Sequence, residues 1–459
     1  MRRQVTGSPD NSAPTPSLNG MTAEPRTIAR RAVASWIIYD IANVIFSMGV
    51  VSLKFPLFVR ESVGAQRADS VYGAITSVAM GLMFLLSPLL GAMTDRARRR
   101  MPFLVWATLL SCACTALLAR GPFTLSVILF VFANGGYQAG VQFYDSMLPE
   151  VSTESNRGRV NGLAIGLGYL GSYVAIGMGV VLGSEGSAYP FARYFGFVAV
   201  LFLVIALPCF LFVTERGNPN PRPFLTWQAI RESVAQTIDT LRSGHRYPGL
   251  LRFLVGRAFY TDAINTVVSF MSLYTVNVAV STGLTPAEGQ QRANIVLATA
   301  VTAAIGGGIL WGIVVDRIGP KRTLTAVLCL WLATFTLSSC VGVFALPITW
   351  LYVVACAAGI ALGGTWAADR PYMLRLTPPD RVGEFYGLYG MVGRFSAVTG
   401  PLLWGGTTWF FVERMGLAEI KGEAIAVLTL LAMVLVSLFI LRKVTDAPRD
   451  WVALGHAER

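Results

Sequence analysis

Apolar residues run along this chain in blocks of roughly 20, divided by short polar stretches, and a helix of that length spans a hydrocarbon core. About twelve blocks are discernible, at 33–58, 71–93, 102–119, 123–145, 161–183, 194–214, 251–279, 293–315, 323–342, 348–369, 384–412 and 423–441. They are too long for strands and do not alternate. The pattern predicts an all-α integral membrane protein with twelve transmembrane helices. Composition agrees: hydrophobic residues make up 54% of the chain and charged residues 14%, too little charge to cover a soluble protein of this length.

The polar residues inside the blocks recur. Tyr39, Asp40 and Asn43 return as Tyr260, Asp262 and Asn265, roughly 222 positions on. Gly91, Asp95 and Arg96 return as Gly312, Asp316 and Arg317, and Asp145 returns as Asp369. An offset near half the chain length, with the same charges inside apolar segments, predicts two pseudo-symmetric six-helix bundles, at 33–214 and 251–442. This is the two-fold arrangement of a transporter.

The formal net charge of +12 invites a nucleic-acid reading, which its distribution opposes. With alternate loops placed on opposite sides, about 27 of the 37 Lys and Arg fall on one face and about 7 on the other, the positive-inside bias. Both termini are then expected in the cytoplasm, with the basic face against anionic lipid. No basic patch is interleaved with exposed aromatics, so nucleic acid is not an expected partner. Residues 1–32 read as a disordered cytoplasmic tail and 443–459 as a second tail. Between the bundles, 215–250 is a polar linker. Trp227, Ile230, Val234, Ile238 and Leu241 stand there at helical spacing, as in an amphipathic helix on the inner membrane surface. All six cysteines lie in predicted spans without metal-ligand spacing, and His245 and His456, the only histidines, fall in cytoplasmic segments. No metal or cofactor is expected. Gly166-Leu-Gly-Tyr-Leu-Gly171 matches a dinucleotide fingerprint by letter but lies inside an apolar helix, where glycines serve packing.

The loop Gly91-Ala-Met-Thr-Asp-Arg-Ala-Arg-Arg-Arg100 and the loop Asp316-Arg-Ile-Gly-Pro-Lys-Arg322 resemble the two copies of the signature loop of the major facilitator superfamily. Ser35-Trp-Ile-Ile-Tyr-Asp-Ile-Ala-Asn43, Leu148-Pro-Glu-Val with Asn156-Arg-Gly-Arg-Val160, and Glu384-Phe-Tyr-Gly-Leu-Tyr with Gly393-Arg-Phe-Ser396 resemble its vacuole-effluxer-like branch, which includes fungal autophagy-related amino-acid exporters. The resemblance implies the major facilitator fold and alternating access. It also implies an inner gate at Asp95 with Arg96 and Arg100, and at Asp316 with Arg317. Departures such as Ile41, where the branch commonly has Trp, bear on the substrate more than on the fold.

Ionisable groups inside a bilayer cost at least ~2.5–3.5 kcal/mol each and persist where a cavity or partner receives them. Asp40 and Asn43 share a helix face, and Asp262 and Asn265 repeat the pattern; two such pairs can hold a cation or a substrate ammonium, and a buried carboxylate suits proton binding. The alternative is that each Asp pairs with an Arg or caps a kinked helix. Asn134, Gln138, Gln142 and Asp145 form a polar stripe that reads as a cavity wall or as interhelical hydrogen bonding. Arg257 and Arg394 lie within spans, and Arg394 can bind a substrate carboxylate or neutralise Asp262. Asp145, Glu150, Arg157 and Arg159, with Asp369 as the second copy, suit a charge network that breaks as the halves rock. Together these residues predict a secondary transporter, and the resemblance implies a small polar solute as cargo, an amino acid first. Proton or monovalent-cation coupling, efflux, a prokaryotic plasma membrane and a monomeric state are expected. A glycoside–cation symporter is the rival within transport and a non-transporting receptor the rival outside it. An enzyme would need a nucleophile or metal set that the chain lacks.

Overall fold

A computed structural model describes residues 28–182, 190–242, 247–447, 449 and 451. Most of both tails, His245 and His456 lie outside the described residues. The helices of the first half are α1 (Arg30–Val63), α2 (Ala65–Arg96), α3 (Met101–Leu117), α4 (Phe123–Ser146), α5 (Arg157–Leu182) and α6 (Pro190–Phe212). Those of the second are α7 (Leu250–Ser281), α8 (Pro286–Ile318), α9 (Pro320–Val343), α10 (Thr349–Arg375), α11 (Val382–Thr408) and α12 (Glu419–Leu441). A separate helix, Trp227–Arg242, occupies the linker.

Ten of these helices are by themselves long and apolar enough to cross a bilayer, and Met101–Leu117 is a shorter apolar one. Large apolar side chains point outward along them, among them Leu85 (72% exposed), Trp106 (71%), Val180 (75%) and Phe439 (69%), a surface that only lipid covers well. Most helix ends outrun the apolar blocks, as at Arg30, Arg96, Ser281 and Ile318. At the start of α8, Pro286 occupies the first turn, Thr285 Oγ1 accepts from Glu288 N, and the Glu288 carboxylate accepts from Thr285 N at 2.9 Å. That capping box begins the helix seven residues before the apolar block. Lys54 ends a π-helical stretch inside α1 and sits 5.4 Å over the Tyr194 ring.

The halves meet chiefly along two crossings, α2 with α11 and α5 with α8. Glycine makes both possible. A methyl group on Gly91 would stand 2.2 Å from the Gly383 carbonyl oxygen, and one on Gly162 would stand 2.5 Å from the Gly308 carbonyl oxygen. Any larger residue would force the halves apart at the end where the basic loops lie.

Candidate substrate cavity and its gate

A cavity of about 470 Å³ lies between the halves, walled by α1, α4 and α5 on one side and by α7, α10 and α11 on the other. Acids come from the first half, Asp40 on α1 and Asp145 on α4; cations come from the second, Arg257 on α7, Arg370 on α10 and Arg394 on α11. Tyr137, Tyr169, Trp366, Tyr386 and Tyr389 supply aromatic faces and Asn43, Gln138, Gln142 and Asn265 supply amides.

The charges are not equivalent. Arg257 Nε donates to Asp369 Oδ2 at 3.0 Å, and that carboxylate also accepts the hydroxyls of Tyr260 (2.6 Å) and Tyr389 (2.8 Å). The Arg257 guanidinium lies 3.5 Å from the Tyr389 ring centroid. This cluster stays inside the second half. Arg370 crosses the boundary, with Nε 2.9 Å from Asp145 Oδ1 and a terminal nitrogen 3.4 Å from Asn161 Oδ1. Asp40 and Arg394 differ from both: among the described residues neither has a salt-bridge partner. Asp40 accepts from Asn43 Nδ2 at 3.4 Å. Arg394 donates to the Gln138 carbonyl at 3.0 Å and to Ser87 Oγ, with its Nε buried and unbonded. Gln142 Nε2 is held by the Ser87 carbonyl at 2.9 Å, leaving its Oε1 without a donor.

Asp40, Asn43, Gln138, Gln142, Asp145, Arg257, Asn265 and Arg394 thus come together at one cavity. Asp262 does not. Its carboxylate accepts from Gly400 N at 2.7 Å and from Thr399 Oγ1, just before Pro401 inside α11, and the residue is 1% exposed. It supports α11 beside Pro401, which lacks the N–H for the next turn, and among the described residues it has no ion pair with Arg394. Thr261, one position earlier, faces the cavity in its place.

At the basic end two carboxylates close the crossings. Asp95, at the end of α2, accepts from the α11 amides of Gly383 (2.9 Å) and Glu384 (2.8 Å) and from Arg100 (2.9 Å). Asp316, at the end of α8, accepts from the α5 amides of Gly158 (2.6 Å) and Arg159 (3.1 Å) and from Arg159 Nε (2.9 Å). Each acid satisfies amides that a helix start leaves open and meets the positive end of the helix dipole. The remaining predicted gate residues are placed otherwise. Arg96 pairs with Glu232 of the linker helix at 2.9 Å, Glu150 with Arg216 at 3.3 Å, and Arg157 with Glu154 of its own turn at 3.8 Å. Arg317 is exposed, and Asp369 lies behind the cavity wall rather than at the gate. Glu215, in the linker, accepts from the amides of Arg100 (2.6 Å) and Met101; burial pushes its carboxyl above the usual glutamate range despite these bonds.

Sequence reasoning missed Arg370, Asn161 and the five aromatics. Arg370 adjoins Asp369, where the predicted span closed although α10 continues to Arg375. Tyr386 and Tyr389 stand three apart on α11, a spacing that places both on one face.

Two helical bundles around a shared polar cavity, with carboxylates bonded to opposing helix starts at its basic end, have the arrangement of a transporter of the major facilitator type. The chain belongs to the vacuole effluxer Atg22-like family, whose model matches residues 58–445. It is 24% identical over 386 residues to YxiO, an uncharacterized MFS-type transporter of Bacillus subtilis (strain 168), covering 80% of this chain and 86% of that one. Autophagy-related protein 22 of Yarrowia lipolytica is 23% identical over 295 residues, covering 59% of this chain and 49% of its own length. In fold it is similar to the human organic anion transporter MFSD10 (TM-score 0.69, 16% identity, 90% of this chain and 99% of that one). It is also similar to a bacterial homologue of ferroportin in its outward-facing state (TM-score 0.65, 15% identity, 90% and 98%).

Proposed function

We propose that the chain is a secondary transporter that carries a zwitterionic solute, an amino acid first, between the halves by alternating access. The basic end is the cytoplasmic one, by the positive-inside bias, and a prokaryotic plasma membrane is the expected setting. The observation that carries the reading is the pair left over in the cavity: Asp40 on the first half and Arg394 on the second, each on the wall and, among the described residues, neither salt-bridged. An ammonium on Asp40 and a carboxylate on Arg394 would complement both, and a solute held by both halves ties binding to their closure. Asp40 is also the expected site for a proton or monovalent cation, exchanged as the cavity empties. Its opposition to Arg370 and the Asp145 bridge sets how tightly the empty halves hold.

A second reading has support of its own. Aromatic faces with amides are also how sugars are bound, and the cavity offers Tyr137, Tyr169, Tyr386, Tyr389 and Trp366 with Gln138 and Gln142. A thermal-shift screen of amino acids and sugars on purified protein, followed by counterflow of any hit in proteoliposomes, separates the two. An amino-acid hit whose binding is lost in Arg394→Gln supports the first reading. A sugar hit that survives Arg394→Gln replaces it with the second.

A further inference from the structure

The linker helix presents its faces in an unusual way. Its buried stripe is small or hydroxylated (Ala229, Ser233, Thr237 and Thr240), whereas Trp227 (80% exposed), Val234, Ile238 and Leu241 face outward. An apolar stripe turned outward at the rim of a membrane bundle fits lipid, not water. Just upstream, Phe224 and Leu225 share an apolar groove with Leu82 and Trp106 on the outer wall of α2 and α3, and the Phe224 ring lies 5.2 Å from that of Phe103. That placement suits a helix that begins at hydrocarbon depth and runs at headgroup level. Arg98, Arg99, Arg222, Arg231 and Arg242 are exposed around it, against Asp239 and the Arg96-bound Glu232. That balance suits anionic headgroups.

The inner face is bonded to both halves at the gate. Glu232 pairs with Arg96 of α2 at 2.9 Å. Gln236 Nε2 and Thr240 Oγ1 both donate to the fully buried Glu384 of α11, each at 2.6 Å. The backbone amide of that same Glu384 is one of the two held by Asp95. When α2 and α11 separate, the helix cannot keep both sets of bonds. At the Asp316 crossing the chain after α12 meets the start of α9, Asp446 accepting from Lys321 N at 3.1 Å and the Arg442 carbonyl from Lys321 Nζ at 3.2 Å.

We infer that the linker helix is a lipid-anchored clasp: anionic phospholipid on its outer face seats it, and its inner face then holds α2 against α11 and favours the closed inner gate. The inference rests on the alternating-access reading above. It is tested by spin-label distances across the basic ends of the two halves. The full-length protein is reconstituted in phosphatidylcholine vesicles and in equal parts phosphatidylcholine and phosphatidylglycerol. Gln236→Ala with Thr240→Val, and separately Trp227→Ser with Ile238→Ser, are expected to raise the inner-open population roughly five- to tenfold in the anionic vesicles. The second pair is expected to do little in neutral vesicles, where the wild type is already shifted toward open. Unchanged melting temperatures establish that the variants fold. Asp95→Ala is the control. If it opens the gate and neither linker pair does, the clasp is overturned while the transport reading stands; if Asp95→Ala also changes nothing, the gate reading itself fails. Opening by the Gln236/Thr240 pair with no response to lipid or to the Trp227/Ile238 pair overturns the membrane-anchored form proposed here.

Discussion

The two halves keep their symmetry at the gate and lose it at the cavity. Asp95 and Asp316 do the same job on the two crossings, each bonded to amides at a helix start of the opposite half. Asp40 and Asp262, which look equally matched, do not: the first lines the cavity and the second binds α11 beside a proline. The difference follows from what each acid recognises. A helix start offers amides whatever its side chains, so duplication preserves that contact. A cavity wall is made of side chains, and after duplication the two walls are free to diverge. The second half accordingly concentrates the arginines and the first the acids.

The largest expected effect probes the asymmetric part. Asp369→Ala leaves Arg257 buried without its carboxylate and removes the acceptor of two tyrosine hydroxyls. A loss of about 3–5 kcal/mol in stability is expected, read as a fall in melting temperature. The matching change in the first half, Asp145→Asn, cuts a bridge between halves and is expected to spare stability more than it spares the balance of conformations. Next come the symmetric acids. Asp95→Ala and Asp316→Ala each remove charge-assisted bonds worth about 2–3 kcal/mol and should populate the inner-open state. Labelling of an engineered cavity cysteine from the basic side reads this. The shift should be smaller for Asp95, where the linker helix still bridges α2 and α11; equal or no shifts would remove that distinction.

Asp262→Asn is expected to cost about 1 kcal/mol, since an amide oxygen still accepts from Gly400 N. Smallest is a pH effect at Glu215. Its carboxyl is raised by burial, so the folded protein holds this proton more tightly than the unfolded chain does. Its contribution to stability is therefore greatest at low pH and is lost as pH rises from the ordinary glutamate range through the folded value. Glu215→Gln should flatten that decline in melting temperature.

The fold was legible because a bilayer demands apolar helices, and the apolar blocks match the observed helices except at their ends. The residues lining the cavity were legible where polar side chains stood among apolar ones within a span, as with the stripe of Gln138, Gln142 and Asp145 and with Arg394. Asp262 was misplaced by a register of one. The gate motifs repeat at 221 residues, as does Tyr39 with Tyr260, whereas pairing Asp40 with Asp262 requires 222. On a helix one position is about 100°, enough to turn a side chain from the cavity into a neighbouring helix. The consistent offset pairs Thr261 with Asp40, and both line the cavity. Arg370 was hidden for another reason: a charged residue at a block edge reads as a loop residue until the helix is seen to continue to Arg375. The linker helix was legible as amphipathic, but no periodicity shows that its polar stripe faces the gate.

The most direct measurement sets the two aspartates side by side in proteoliposomes, with the solute identified by thermal shift and an imposed proton gradient. Asp40→Asn should abolish gradient-driven accumulation while Asp262→Asn retains it. Retention in Asp40→Asn together with loss in Asp262→Asn would contradict the cavity assignment.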